Sequence, residues 1–167
     1  FSNEFAATAI DSLTALPEDT DNVVLLVIPY AKLDGVALER LRRYVEKGGT
    51  LILADDYGYG NDVLKHLGVK ARFQGVPVLD PLFNYRSAFF ALATNLTPSP
   101  ITEGVSSITF NYGTVIEGEG LNEVAFTSGF SFQDSNNDGA HGVDEPRGPF
   151  PVVAYTTVGA GRLVLIA

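Results

Sequence analysis

The chain has 167 residues, a length that fits one domain with a sizeable hydrophobic core. Its 20 acidic and 11 basic residues give a net charge of −9, which repels phosphate backbones and anionic membrane surfaces, so we expect no nucleic-acid partner. The absence of cysteine excludes disulfides, thiolate nucleophiles and sulfur-bound zinc.

The first third of the chain alternates amphipathic helices with aliphatic strands. Apolar residues at helical spacing predict a first helix over residues 3–16, which Pro17 ends. The aliphatic run at 23–28 predicts a strand buried on both faces, as in a parallel sheet. Asp34 is the expected N-cap of a second helix, which Gly48 and Gly49 terminate.

The same alternation continues with a strand at Thr50–Ala54 and a helix over 61–67 that Gly68 caps. Strand, helix, strand, helix in this order predicts an open α/β sheet. The second half contains short apolar runs at 76–79, 107–112, 123–126, 152–156 and 162–167. The last two runs are joined through 158–161 and indicate a hairpin. We therefore predict a parallel core with antiparallel strands added in the second half.

The segment 134–145 has the spacing of a calcium-binding loop. Calcium requires six to eight oxygen ligands, which short acidic and amide side chains at alternate positions supply. The expected ligands are the side chains of Asp134, Asn136, Asp138 and Glu145 and the carbonyl of Ala140. Gly139 would make the sharp turn and a water would serve at Gly142. An extended segment before the loop and prolines after it replace the usual helices, so the ion would rigidify a long connection; the alternative is a solvated turn without metal.

A second candidate site follows the strand at Thr50–Ala54. Ligands of open α/β sheets bind at the carboxyl ends of the strands, and Asp55, Asp56, Gly58, Gly60 and Asn61 occupy such a corner. The glycines would let the backbone approach a ligand closely. The pattern lacks one glycine of the dinucleotide fingerprint and its acidic pair repels pyrophosphate, so we expect no nucleotide cofactor. The alternative is a structural strand-to-helix turn.

Other constellations favour structural roles. His66 and His141 are too few for a catalytic metal set, and no Gly-x-Ser-x-Gly elbow marks a serine hydrolase. Aromatic residues concentrate in the middle segment, where we expect a satellite core under long loops, with Tyr85 and Arg86 as the most exposed part. These aromatic residues are Phe73, Phe83, Tyr85, Phe89 and Phe90.

The stretch from Leu41 to Asp56, preceded by an aliphatic strand, resembles the glutamine-amidotransferase-like domains of the flavodoxin-like class. With Tyr57-Gly-Tyr-Gly-Asn61 and the 134–150 segment, which ends in Glu-Pro-x-Gly-Pro-Phe-Pro, the chain resembles the DUF4350 family more closely. The resemblance implies a single three-layer domain over 1–167, held at a membrane by flanking segments and without an established reaction. Catalytic members of the wider superfamily use a cysteine at the strand-to-helix elbow, which this chain lacks.

We therefore expect a noncatalytic domain that binds a protein or a small polar ligand. The chain has no initiating Met and stops within a predicted strand, which indicates a part of a longer, membrane-anchored protein displayed on the extracytoplasmic side. Membrane contact would occur only through segments absent from this sequence, which has no apolar run near ~18 residues. The rival hypothesis is a hydrolase or transferase that uses Asp55 or Asp56.

Overall fold

The computed structural model describes residues 6–56 and 58–167, which form an α/β domain around a mixed six-stranded sheet. A single 3-10 turn at Leu13–Ala15 precedes the sheet among these residues. The elements of the first half are β1 (Val24–Val27), α1 (Gly35–Glu46), β2 (Thr50–Ala54), α2 (Gly60–His66), β3 (Ala71–Phe73) and β4 (Val78–Leu79). The remaining strands are β5 (Leu92–Ala93), β6 (Asn95–Leu96), β7 (Ile108–Thr109), β8 (Ile116–Gly118), β9 (Asn122–Phe126), β10 (Phe132–Gln133), β11 (Pro151–Val158) and β12 (Gly161–Ile166).

The strands of the main sheet lie in the order β1-β2-β12-β11-β9-β6. β1, β2 and β12 are parallel, whereas β11, β9 and β6 continue the sheet in antiparallel pairs. The predicted open α/β fold, with a parallel core and antiparallel strands added in the second half, is confirmed. The other short strands lie outside this sheet and form antiparallel pairs, β10 with β4, β3 with β8 and β5 with β7.

The two faces of the sheet bury different parts of the chain. Successive side chains of a strand point to opposite faces. On one face, Leu51 and Leu53 of β2 and Leu163 and Leu165 of β12 are fully buried and share a core with both helices. On the other face, Ile52, Val164 and Ile166 pack in a second core with residues of the irregular segment, including Ala93 and Phe110.

The two α-helices have the predicted signals at their ends. Asp34 Oδ1 accepts a 2.7 Å hydrogen bond from the backbone N–H of Ala37 at the start of α1. Gly48, with φ of +115°, follows the end of α1, and Gly68, with φ of +71°, follows α2. These two helices and the strand Thr50–Ala54 are confirmed to within one or two residues. Within residues 6–56 and 58–167, no helix is long and apolar enough to cross a membrane.

The predicted helix over residues 3–16 is wrong for residues 6–16. Only Leu13–Ala15 form a 3-10 turn, and residues 6–12 are exposed and not helical; residues 3–5 lie outside the described part. An amphipathic stripe becomes a stable helix when a tertiary surface buries it. Here Leu13 and Leu16 pack partly against the core while Ile10 stays exposed, so the stripe has no continuous surface to cover.

The aliphatic run at 23–28 forms β1 as predicted, but it is not buried on both faces. β1 is an edge strand, and the side chains of Val24, Leu26 and Ile28 are 59%, 57% and 55% exposed. Composition predicted a central strand because such runs are typical of parallel sheets. The position of a strand in the sheet order depends on pairings that local sequence does not encode.

The close approach of α1 to the β11–β12 hairpin gives a testable prediction about packing. A Cβ atom at Gly161 would overlap the carbonyl oxygens of Val45 and Gly49, which are backbone atoms that cannot rotate away. We expect Gly161→Ala to lower the free energy of unfolding by about 1–3 kcal/mol, as overpacking does. Urea unfolding at constant m-value measures the change.

The matched control is Gly35→Ala at the start of α1, where nothing lies within 4 Å of the added Cβ. Alanine favours helix over glycine by up to about 1 kcal/mol, so this variant keeps or gains stability. Equal effects of the two substitutions would contradict the packing argument.

Candidate functional site

The corner after β2 is held by a buried carboxylate. Asp55 is 3% exposed, and its backbone N–H donates to Ile166 O at 3.0 Å, which ties the corner to β12. Its Oδ1 accepts the N–H of Gly58 at 3.0 Å and its Oδ2 accepts the N–H of Gly60 at 2.6 Å. The carboxylate therefore satisfies the first backbone donors of α2, which is the role of a helix-capping group.

Local packing, hydrogen bonding and backbone conformation account for the residue types at the other positions of the corner. A Cβ at Gly60 would lie 2.8 Å from Asp55 Oδ2 and 3.0 Å from the ring of Phe73, so only glycine fits there. The amide of Asn61 accepts the N–H of Phe73 at 2.8 Å and donates to its carbonyl at 2.9 Å, which fixes β3 beside α2. Gly58 has φ of +88°, a conformation that L side chains rarely adopt.

Asp56 is the exposed member of the corner, and Tyr57 lies outside the described residues. A shallow depression of about 240 Å³ runs beside Asp56 at the carboxyl ends of β1, β2 and β12. Ile28, Ala54, Phe110 and Asn111 contribute to its lining. Its volume lies below the roughly 300–1,000 Å³ of typical small-molecule sites, so the corner offers little room for a buried ligand.

The loop 134–145 is organised by two acidic side chains at its ends. Asp134 is buried, and its carboxylate accepts the N–H groups of Asp138 at 3.1 Å and Gly139 at 3.0 Å. Glu145 Oε1 accepts the N–H of Ser135 at 2.8 Å, and Oε2 accepts the N–H of Gly142 at 2.8 Å. The two carboxylates thus close the loop on itself.

These hydrogen bonds change the acidity of Glu145. The N–H of Gly142, followed by the groups of Ser135, lowers the pKa of Glu145 because it stabilises the ionised carboxylate. A lowered pKa in the folded state means that this contribution to stability is present above the ordinary glutamate pKa. It is lost when the pH falls through the lowered value.

The loop has the oxygen donors that calcium prefers, but its geometry differs from a formed ligand shell. Asn136 Oδ1 accepts the N–H of Asp138 at 3.0 Å, Asp138 Oδ1 accepts the N–H of Ala140 at 2.8 Å, and Gly139 turns with φ of +77°. In the described parts of the chain, no three His, Asp or Glu side chains are arranged as ligands of one metal ion. Asp134, Asp138 and Glu145 would have to move together to hold one.

The two histidines lie in structural contacts. His141 packs edge-on against Phe132, and its Nε2 lies 3.0 Å from Glu145 O. Arg147 donates to His141 Nδ1 at 3.2 Å; arginine can only donate, so Nδ1 accepts and Nε2 carries the proton toward Glu145. His66 Nε2 lies 3.4 Å from Glu39 Oε2 on the surface of the helices.

The structure also contains a buried acid that lies outside both predicted sites. Asp80 is fully buried, and its Oδ1 accepts the N–H groups of Leu82 at 3.0 Å and Phe83 at 2.8 Å. Its Oδ2 accepts the hydroxyl of Ser128, whose Oγ in turn accepts the N–H of Phe130 at 3.0 Å. Asp80-Pro81 is a turn-initiating pair, which was the available signal for the first half of this network.

Phe83, Tyr85 and Phe130 are exposed aromatic residues of two loops, and we call them the aromatic surface. They are 43%, 54% and 51% exposed, and the rings of Phe83 and Phe130 stack with centroids 6.2 Å apart. Arg86 lies 5.0 Å over the ring of Tyr85. Phe73 is buried, but it belongs to the core shared with both helices and not to a satellite core. The prediction is wrong for Phe83, which lies exposed on the 83–92 hairpin.

Solved structures share the fold of this chain at low sequence identity. The mmIFT52 N-terminal domain aligns with a TM-score of 0.62 and 16% identity over 85% of this chain and 64% of its own. The β-galactosidase from Bacillus circulans sp. alkalophilus has a TM-score of 0.55 and 16% identity, and that from Rahnella sp. R3 has 0.52 and 13%. This chain, 86% of which aligns, spans 20% of each galactosidase. At such identities these similarities show the fold alone.

No curated protein matches the chain in sequence. A family model described as "Domain of unknown function (DUF4350)" matches residues 5–167, which is nearly the full length. The chain therefore belongs to the DUF4350 family.

Proposed function

We propose that this chain is a noncatalytic protein-interaction domain whose contact surface is the aromatic surface of Phe83, Tyr85 and Phe130. The observation that carries the proposal is the buried carboxylate of Asp80. It accepts hydrogen bonds from the backbone that holds Phe83 and, through Ser128, orders the turn that holds Phe130. Two loops far apart in sequence thereby present stacked rings in a fixed arrangement.

Fixed aromatic side chains are effective contacts for a protein partner. Exposed rings contribute large apolar areas, and rings that are already ordered lose little conformational entropy on binding. Phenylalanine and tyrosine are also enriched in the cores of protein interfaces. The cation of Arg86 over Tyr85 adds a polar margin to the aromatic surface.

The polar residues of the β2 corner are weaker evidence for a binding site than the aromatic surface is. They are weaker still as evidence for catalysis. A catalytic Asp55 would have to release the N–H groups of Gly58 and Gly60, which are donors at the start of α2. Asp56 borders a shallow depression in which a substrate would remain largely in water. We therefore favour interaction over the hydrolase or transferase alternative.

We extend the proposal to the superfamily of the domain and to its location in the cell. We infer a three-layer relative of the glutamine-amidotransferase-like class that has lost the nucleophile, since the chain has no cysteine. Calcium bound by Asp134, Asn136, Asp138, Ala140 and Glu145 would fix the loop beside β10. A weak site of this kind suits the millimolar calcium outside cells, which supports display on the extracytoplasmic face by segments outside this sequence.

The aromatic surface predicts a specific partner contact. A photoreactive phenylalanine analogue placed at Tyr85, in cells that naturally express the full-length protein, is expected to give one discrete cross-linked adduct. Phe130→Ala in the same protein removes a stacked ring and is expected to weaken the adduct about tenfold, the effect of a hot-spot residue.

The control places the same analogue at Val143, which is 95% exposed and outside the aromatic surface. An equal adduct from Val143 would mean nonspecific capture. No adduct from Tyr85 would contradict the proposed contact surface.

The structural role of Asp55 predicts an effect on stability. Asp55→Ala leaves the N–H of Gly60 without its acceptor in a buried position, and we expect a loss of about 2–3 kcal/mol in the free energy of unfolding. Asp56→Ala, at an exposed neighbour, changes stability by less than about 0.5 kcal/mol. Denaturant unfolding of both variants measures the difference; an unchanged Asp55→Ala protein would return Asp55 to the candidates for ligand binding or catalysis.

The calcium loop predicts metal-dependent stability. Calorimetric titration of calcium into chelator-treated protein should give saturable heat, and a tenfold excess over Kd should stabilise the fold by about 1.4 kcal/mol and raise Tm. Asp138→Ala removes an expected ligand that is exposed and is predicted to abolish both effects. Asp144→Ala carries the same charge change in the same loop and should retain them. Absence of heat at millimolar calcium, or equal loss of the calcium effects in both variants, would mean that the loop is a turn without a specific metal site.

A further inference from the structure

Among residues 6–56 and 58–167, nothing pairs with the outer edge of β1 or covers the outward face of the sheet at this strand. It pairs with β2 on one side only, and Val24, Leu26 and Ile28 point away from the helices with more than half of each side chain exposed. The alternate residues Leu25 and Val27 pack inward against the helical core. The second core covers the outward face over Ile52 of β2, but it does not extend to β1.

The two edge strands of the sheet differ in how much backbone they offer to an added strand. The opposite edge is β6, a strand of two residues, Asn95–Leu96, and such short edges offer little backbone to another strand. β1 has four residues, all apolar, and no charge interrupts it. Among the described residues, no backbone hydrogen bond reaches the outer edge of β1. A flat apolar edge of this kind pairs with an added strand.

We propose that the added strand is β1 of a second copy of this chain, paired antiparallel across a two-fold axis at Leu26. The side-chain period of two requires the axis to pass through a residue, and only an axis at Leu26 sets all three outward residues, Val24, Leu26 and Ile28, opposite one another. Leu26 then faces Leu26 of the second copy, and Val24 faces Ile28 in both directions. The contact is the same patch on both copies, as a two-fold dimer requires.

The charges that flank β1 favour this orientation over the parallel one. Glu18, Asp19 and Asp21 precede the strand; Lys32 and Asp34 follow it, and Asp34 is engaged in capping α1. Antiparallel pairing brings Lys32 of one copy to the acidic segment of the other at both ends of the seam, whereas parallel pairing would place acids beside acids. Lys32 has an intramolecular pair with Asp62 at 3.7 Å, but both groups are well exposed, so the lysine can turn to a second copy.

The overall net charge of −9 opposes association of two copies. At physiological ionic strength the Debye length is about 8 Å, so most of this repulsion is screened while contacts at the seam persist. The seam is small, and the dimer belongs to the weak interfaces that form at high concentration.

Sedimentation equilibrium of the chain at about 0.5 mM tests the proposal, a concentration at which weak interfaces are populated. We expect a reversible dimer, and Leu26→Lys, which places two charges together on the axis, should raise the dimer Kd at least about tenfold. Val143→Lys and Phe130→Lys introduce the same charge at exposed positions away from β1 and should leave the dimer unchanged. A monomer at this concentration, or a dimer that Phe130→Lys disrupts and Leu26→Lys does not, would overturn the proposal.

Charge reversal tests the orientation. Lys32→Glu and Asp21→Lys should each weaken the dimer, and the variant that carries both changes should recover it, because each seam end again joins opposite charges. Recovery is specific to antiparallel pairing. If the double variant is as weak as the single ones, the proposed orientation is wrong even if a dimer exists.

The absence of cysteine permits a direct measurement of the register. In Leu26→Cys the two thiols meet at the axis, where opposed Cβ atoms lie about 4.5–5.5 Å apart, and mild oxidation should form disulfide dimers rapidly. In Val143→Cys the thiol is at a more exposed position and should oxidise slowly. Faster oxidation at position 143 would indicate random encounter and would contradict the seam. The proposal does not depend on the aromatic surface, so either can fail without the other.

Discussion

The insertion of β12 between β2 and β11 is the constraint on which the rest of the structure depends. Its Leu163 and Leu165 lie beside Leu51 and Leu53 of β2 in parallel register, and the four side chains form the centre of the helical core. The same strand joins the antiparallel half through β11. Because β12 pairs with β2, the parallel sheet depends on a contact between residues more than a hundred positions apart. Pairings of such separation have a high entropic cost of loop closure, which buried leucines on both strands offset.

Hydrogen bonds to buried carboxylates fix several of the long connections. Asp55 fixes the turn into α2, Asp80 joins two loops of the irregular half, and Asp134 with Glu145 closes the loop that follows β10. In each case the acceptor oxygens accept hydrogen bonds from backbone N–H groups at the buried or partly buried turns. A chain without disulfides and with few helices can hold long loops in this way, since ionised acceptors make stronger hydrogen bonds than neutral ones.

Two of the exposed apolar surfaces in the described part of the chain follow from this organisation. The aromatic surface lies where the 83–92 hairpin turns alternate rings outward, and the uncovered face lies where the sheet continues beyond the second core to β1. Soluble domains seldom leave ordered apolar groups together without a partner. Several of the polar candidates, Asp55, Asp134 and Glu145 among them, are engaged in internal hydrogen bonds, which is why we propose interaction rather than catalysis.

Local sequence alone determined the parts of this protein that depend on nearest neighbours along the chain. The cap at Asp34, the glycine stops after both helices, the strand at Thr50–Ala54 and the hairpin between β11 and β12 follow from capping, turn chemistry and side-chain period. The alternation of strands and helices in the first third of the chain predicted the open α/β sheet, and the acidic spacing of 134–145 predicted a calcium site, which stays a prediction. Tertiary structure decided that β1 lies at an edge, that residues 6–12 are not helical, that Asp55 accepts the N–H groups of Gly58 and Gly60, and that Phe83 is exposed. Each of these depends on which distant surface is available for a side chain to pack against, and that information is distributed over the whole chain.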